Sequence, residues 1–263
     1  MGWRIFHKAE TVSTNSDAAG GAPGDVFSAD VQTGGRGRLG HKWVSQPGAN
    51  LLMSAVVDVA GMPPDEAATL PLAAGLAAAL AAAGEIAAAS AGRGSNGDVR
   101  LKWPNDVVLA DGRKICGILC ERTGDRAVVG IGLNVNQIRF DPVEAPNAAS
   151  IRLAAADSVS GVPPEIPAGR VMDALLARLD EVLALWRAEG FGGIWRQVAE
   201  LDYLKGRVVS VRRMDGDPAP AGGLCGGICD DGSLDVGGMR VYAGEAHVES
   251  AQERPFAAGT GVL

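Results

Sequence analysis

Lys114-Ile-Cys-Gly-Ile-Leu-Cys-Glu121 is followed, after a short polar turn, by Ala127-Val-Val-Gly-Ile-Gly-Leu-Asn-Val-Asn136. Both runs are apolar, rich in β-branched residues and bounded by turn signals, so they read as neighbouring strands. Just upstream, Val99-Arg-Leu-Lys-Trp103 is a strand that stops at Pro104, and Val107-Val-Leu109 precedes a turn at Asp111-Gly112. Short strands following one another without a helix make a meander, which favours antiparallel pairing over βαβ crossovers. Lys102, Asn105, Asp106, Lys114, Asn134 and Asn136 all sit at the ends of these apolar strands. A site built on this sheet collects there.

Toward the N-terminus, Trp3-Arg-Ile-Phe-His7, Asp25-Val-Phe-Ser-Ala-Asp-Val31 and Asn50-Leu-Leu-Met-Ser-Ala-Val-Val-Asp-Val59 read as further strands, the last buried on both faces. Between the first two, Ser13 or Thr14 is placed to cap a short helix that Gly20-Gly21 ends. The same hydroxyls also suit ligand contact, and the segment alone does not decide. Between the second and third lies Gln32-Thr-Gly-Gly-Arg-Gly-Arg-Leu-Gly-His-Lys-Trp43. Its glycines predict a mobile backbone free to use φ > 0 and to bring N–H groups to an anion. Arg36 and Arg38 carry planar guanidiniums suited to carboxylate or phosphate, and Trp43 offers a stacking face. The run reads as a basic lid for a small anionic ligand. An RNA-binding tract would repeat Arg-Gly, and this run stands alone.

Helices are expected over 65–83, after Pro63-Pro64, and over 170–188, where Val171, Leu175, Leu179, Val182, Leu183 and Trp186 form one apolar stripe. Gly190 ends the second, and a last helical piece covers 193–204. Residues 84–98 read as an exposed insertion with no functional claim on Arg93, and 138–166 as proline-rich loop. From Gly206 the texture changes to short β segments joined by Gly/Asp turns. This predicts two domains, 1–205 and a small β-barrel over 206–263, with the boundary near Lys205.

Composition narrows the function classes. The 263 residues carry 24 basic and 31 acidic side chains, net −7, which argues against bulk binding to nucleic acid or to an anionic membrane surface. No apolar h-region follows the basic residues at the N-terminus, and the Ala/Leu run at 67–83 reads as a core helix, so a cytoplasmic protein is expected. Cys116-x3-Cys120 and Cys225-x3-Cys229 lack the tight knuckle of common zinc sites. In a strand that spacing points both thiols to one face, so buried free cysteines are the better reading.

Taken together the motifs resemble the biotin protein ligases. Ser13-Thr-Asn15, the Gln32–Trp43 run, Lys102-Trp-Pro-Asn-Asp106, Gly112-Arg-Lys-Ile-Cys-Gly-Ile-Leu-Cys-Glu121 and Gly130-Ile-Gly-Leu-Asn-Val-Asn136 appear in that family's order and spacing. The resemblance implies an α+β fold: a mixed, largely antiparallel sheet with flanking helices, like lipoate ligases and class II synthetases, then an SH3-like barrel. It implies ATP, Mg2+ and biotin, a biotinyl-5′-AMP intermediate, and transfer to one lysine of a carboxylase carrier domain. Lys114 would bridge the biotin carboxylate and α-phosphate, and Arg36 and Arg38 would hold the phosphate region. By the same resemblance Ser13, Thr14, Gln32, Gly35, Arg36, Arg38, Lys114, Gly117 and Gly130 meet biotin. Trp43, Asn105 and Asn134, with Arg36, Arg38 and Lys114, meet the nucleotide, and Asp106 guides the acceptor lysine's proton. Family members often pair as homodimers through the sheet. Leu39 and His41 stand where many members carry arginines, and with no N-terminal winged helix expected, DNA binding is not. The rival readings are a lipoate ligase or acyltransferase on the related fold, and a non-catalytic biotin- or carrier-binding protein.

Overall fold

The computed structural model describes residues 2–90, 98–157, 162–212 and 221–249. Seven strands form one mixed sheet: β1 (Arg4–Thr11), β2 (Asp25–Gln32), β3 (Leu51–Asp58), β4 (Val99–Lys102), β5 (Asp106–Leu109), β6 (Lys114–Thr123) and β7 (Arg126–Leu133). Their order is β1-β2-β3-β7-β6-β5-β4. Only β1–β2 is parallel, crossing over through α1 (Thr14–Ala18); every other neighbouring pair is antiparallel, as the meander predicts.

The register lines up small and polar side chains across the strands. Asp106, Gly117, Gly132 and Leu52 form one transverse row; Leu119, Gly130 and Ser54 form the next. Because side chains alternate between faces, Ile118 and Ile131 point the other way, toward the helices. There α3 (Leu70–Ala89) lies close on the sheet, and a Cβ on its Gly75 would sit 3.1 Å from Leu101. α5 (Ala168–Glu189) packs on α3, burying its predicted stripe with Leu176 added. Trp186 is fully buried and donates from Nε1 to Thr69 Oγ1 at 2.8 Å. Each such large apolar side chain contributes roughly 1.5–3 kcal/mol by leaving water.

Several boundaries differ from expectation. The helix over 65–83 is two pieces, α2 (Pro64–Ala67) and α3, because Pro71 lacks an N–H and its ring cannot follow a helical carbonyl, so it stands in the first turn of a new helix. α3 runs on through Ala89, so Gly84 to Ala89 is helix and not insertion; buried Glu85 is paired there with Arg170 at 2.6 Å. Ser90 caps that helix, and residues 91–97 of the expected insertion lie outside the described residues. The stretch Pro64–Ala89 is apolar enough to span a membrane by length, yet 67% of its most apolar window is buried in the fold. The loop at 138–166 contains α4 (Ile151–Ala156), capped by Ser150 Oγ accepting from Leu153 N–H; residues 158–161 of that loop are not described. The last helix, α6, is Phe191–Glu200 and begins where Gly190 (φ 69°) turns the chain.

A second sheet follows: β8 (Val208–Arg212), β9 (Ala221–Ile228), β10 (Leu234–Val236), β11 (Met239–Val241) and β12 (Glu245–Val248), in the order β11-β10-β9-β8-β12 and antiparallel throughout. The short β12 was not anticipated. Trp103 and Trp195 donate from Nε1 to the carbonyls of Gly232 and Ile228, and Asp202 accepts from Ile228 N–H, so the two sheets share one buried core.

Candidate active site

A cleft of about 340 Å³ opens on the sheet face opposite α3, within the range of small-molecule sites. It is lined by Ser13, Thr14, Gln32, Arg36, Arg38, Trp43, Asn105, Asp106, Lys114, Gly117, Gly130 and Asn134. Of the anticipated site residues, Gly35 and Asn136 are absent from this lining: Gly35 borders an adjoining cleft along the glycine-rich run, and the Asn136 amide is spent on the backbone N–H and C=O of Ile166.

One end is polar, with the uncharged side chains of Thr14, Asn15 and Gln32 on the cleft. Thr14 donates its backbone N–H to Gln32 Oε1 at 2.7 Å, and its Oγ1 is 3.1 Å from the same oxygen. Asn15 donates from Nδ2 to Glu121 Oε2 at 2.6 Å and to Leu119 O at 3.3 Å. Ser54, fully buried, sets its Oγ 2.7 Å from both Thr14 Oγ1 and Asn15 Oδ1. Gly130 faces this cluster, and a Cβ there would fall 2.0 Å from Asn15 Oδ1. The room Gly130 leaves is thus taken by Asn15, where the family resemblance implied an approaching ligand. Ser13 stands at the N-cap of α1 without a side-chain capping bond, so its hydroxyl is not spent on the helix.

The middle has a glycine floor. Gly117 and Gly132 lie opposite each other, and Trp43 rests across both: Cβ atoms there would come within 2.9 and 2.5 Å of the indole. The Trp43 Nε1 is buried and has no hydrogen-bond partner among the described residues.

The other end is charged. Lys114 Nζ is 2.7 Å from Asp106 Oδ1 and 5.7 Å from the centre of the Trp43 ring. Its backbone is pinned on both sides, to Asn147 O and Ala149 N. Asn134 donates its Nδ2 to Ala149 O at 3.0 Å, and its Oδ1 is buried without a partner among the described residues. Asn105 gives Nδ2 to Ile118 O and takes Arg38 Nη1 on Oδ1 at 3.2 Å. Arg38 also donates to Gly244 O at 3.3 Å, which brings the second sheet to the cleft. Burial draws the Arg38 guanidinium below its ordinary pKa, opposed by the charges of Asp106 and Glu245; guanidinium remains a cation throughout the working pH range.

The basic run is a narrow hairpin. Gly37 N–H bonds His41 O and Trp43 N–H bonds Gly35 O around an Arg36–Lys42 bridge. Of its four glycines only Gly40 takes positive φ (78°), while Leu39 occupies a second left-handed position (φ 58°). The expectation of glycines free at φ > 0 therefore holds at one of four. Arg36 reaches Glu121 at 3.5 Å, and His41 is 3.9 Å from Glu245.

Ser54, Glu121, Gly132 and Gly244 carry roles that the sequence reading did not assign. Ser54 had a signal, a lone hydroxyl in an all-apolar strand, and Gly132 had one in the Gly130-Ile-Gly132 alternation. Gly244 had none, because its approach to Arg38 is tertiary. The cysteines are free: Cys116 and Cys225 are buried, Cys120 and Cys229 partly so. Among the described residues no group of His, Cys, Asp or Glu is arranged to hold a metal.

Residues 17–137 match the Biotin/lipoate A/B protein ligase family. A biotin–[acetyl-CoA-carboxylase] ligase of Mycobacterium tuberculosis is 38% identical over 195 residues, covering 71% of this chain and 66% of that one, so the chain spans about two thirds of that relative. The fold matches a biotin protein ligase from Aquifex aeolicus in complex with biotin and ATP at TM-score 0.74, with 24% identity over 93% of this chain and 98% of that one. A biotin protein ligase from Leishmania major in complex with biotin is 27% identical at TM-score 0.62, covering 94% and 98%. The motifs in their order, the sheet that carries them and these likenesses agree: the chain belongs to the biotin protein ligase family.

Proposed function

We propose that this chain activates biotin with ATP to biotinyl-5′-AMP and passes the biotinyl group to a lysine of a carboxylase carrier domain. The observation that carries the reading is the linear order of the cleft. Its polar hydrogen-bonding end lies at Leu119 and Gly130, its glycine floor at Gly117 and Gly132, and its charged end at Lys114 and Asn134. Five residues of extended strand separate Leu119 from Lys114, about 17 Å. A ring with polar edges, an apolar chain, a carboxyl–phosphate junction and a base fit that sequence of environments.

A biotin carboxylate is already ionised at pH 7, so its attack on the α-phosphate needs no general base. Fixed cations must offset charge on the phosphorus oxygens and the departing pyrophosphate. Lys114 takes the junction and Arg38, steadied by Asn105, takes the phosphates, with Arg36 beside it. Gln32, Thr14 and Ser13 hold the head group. Asn134 Oδ1, an acceptor still lacking a donor, suits an adenine amine. Trp43, which the resemblance assigns to adenine, rests on the glycine floor and so better suits the acyl chain. Asp106 guides the proton from the incoming lysine. Mg2+ would be held mainly by phosphate oxygens and water, its usual manner with nucleotides. We also propose that residues 1–205 carry the chemistry and that 206–263 form the smaller SH3-like unit.

The test is exchange of labelled pyrophosphate into ATP with biotin or lipoate as the acid. Exchange with biotin alone supports the reading. Exchange with lipoate alone moves the chain to lipoate ligation, and a folded protein inert with both is a binding module.

A further inference from the structure

In the buried polar cluster at the polar end of the cleft, three oxygen–oxygen contacts share the two hydroxyl protons of Ser54 and Thr14, and the two contacts at 2.7 Å take them ahead of the one at 3.1 Å. Asn15 Nδ2 faces two acceptors, Glu121 Oε2 and Leu119 O, so the amide orientation is set and Oδ1 points at Ser54. An amide oxygen only accepts, so the Ser54 proton goes to Asn15. The contact between Ser54 Oγ and Thr14 Oγ1, also 2.7 Å, then needs the Thr14 proton. Gln32 Oε1 is served by the Thr14 N–H at 2.7 Å, so its 3.1 Å contact with Thr14 Oγ1 goes without a proton, and Gln32 Nε2 is a donor without a partner among the described residues.

We propose that Ser54 is a positioning residue that sets the donor–acceptor pattern of the head-group pocket. By taking the Thr14 proton it turns Thr14 Oγ1 into an acceptor toward the cleft, beside the donor Gln32 Nε2. A pocket so arranged reads a ring offering N–H next to C=O, a cyclic urea, and gives nothing to a dithiolane. Ser54 does not line the cleft; it acts through Thr14 and Asn15, from a position directly across the sheet from Gly130. This inference rests on the biotin-ligase reading above.

The test compares Ser54→Ala and the near-isosteric Ser54→Cys with the wild type in pyrophosphate exchange. Ser90→Ala is the control, another buried serine, outside the cleft lining, whose hydroxyl donates to Ile86 O of its own helix. We expect the KM for biotin to rise about tenfold in Ser54→Ala, the loss of one buried hydrogen bond's worth of orientation. The KM for ATP and kcat should stay within about twofold. Desthiobiotin, which keeps the cyclic urea, should lose the same factor, Ser54→Cys should fall between, and Ser90→Ala should leave every KM unchanged. An unchanged KM for biotin in both Ser54 variants overturns the assignment. So does a parallel loss in kcat and both KM values, which marks a merely structural role. A wild-type protein inert with biotin is a different result: it removes the ligase reading and the assignment with it.

Discussion

Lys114 and Asp106 hold each other at 2.7 Å where the cleft is most charged, yet the two should fail differently. Lys114→Ala removes a cation needed as charge builds on the phosphorus oxygens. Biotin-dependent pyrophosphate exchange should drop by about 10²–10³-fold, the cost typical of losing one such donor. Asp106→Asn should leave exchange within several-fold but slow transfer from preformed biotinyl-5′-AMP to carrier by about 10²-fold; transfer at the normal rate would falsify the proton-guiding role. The thiols give a check independent of function. Burial pushes the Cys120 and Cys225 thiols up to about 12 and the Cys116 thiol higher still. Only the thiolate attacks disulfide reagents. Titration of native protein at pH 8 should therefore find Cys116, Cys120 and Cys225 slow to react and all four thiols reactive on unfolding.

At the scale of elements, the face of β6 and β7 works because side chains are missing from it. Gly130→Ala would drive a methyl into the Asn15 amide, which must move and strain its bonds to Ser54 and Glu121. We expect a loss of about 1–3 kcal/mol in denaturant unfolding, as for other overpacked sites, together with weakened biotin binding. The turn between β9 and β10 carries a pH dependence. Partial burial raises the Asp231 carboxyl, but bonds from Ser233, Arg240 and Tyr242 outweigh it and hold the group at about 2. The ordinary unfolded value is about 3.9. A depressed carboxyl contributes its stability above the unfolded value and loses it as pH falls through the folded one. Asp231→Asn should therefore melt lower than wild type at pH 7, and the gap should close between about pH 4 and pH 2.

Across the whole molecule, the two sheets are joined by buried donors and not merely by chain. Trp103→Phe keeps the ring but strands the Gly232 carbonyl, which should cost about 1–3 kcal/mol. Because both sheets share one core, calorimetry should still find a single transition for wild type and variant alike. Two transitions would mean that the smaller sheet unfolds alone. The Arg38–Gly244 contact adds a functional link, since disturbing the second sheet loosens a cation that the cleft needs.

What the sequence determined by itself was whatever depends on neighbours along the chain. The succession of short apolar strands that made the meander, the apolar stripe of α5 and the ordered motifs containing Lys114, Asp106 and Gln32 are all local patterns, and each was legible. Its misreadings were also local: Pro71 split a helix whose alanines argued for continuity, and Leu39 took a backbone region expected of glycine. The tertiary structure alone decided that Ser54 lies across from Gly130, that Asn15 fills the space a side chain there would occupy, and that Gly244 meets Arg38 from 206 residues away. Those contacts depend on register between strands and on packing between sheets. Each is set by the burial of the whole core, and no stretch of chain contains that information on its own.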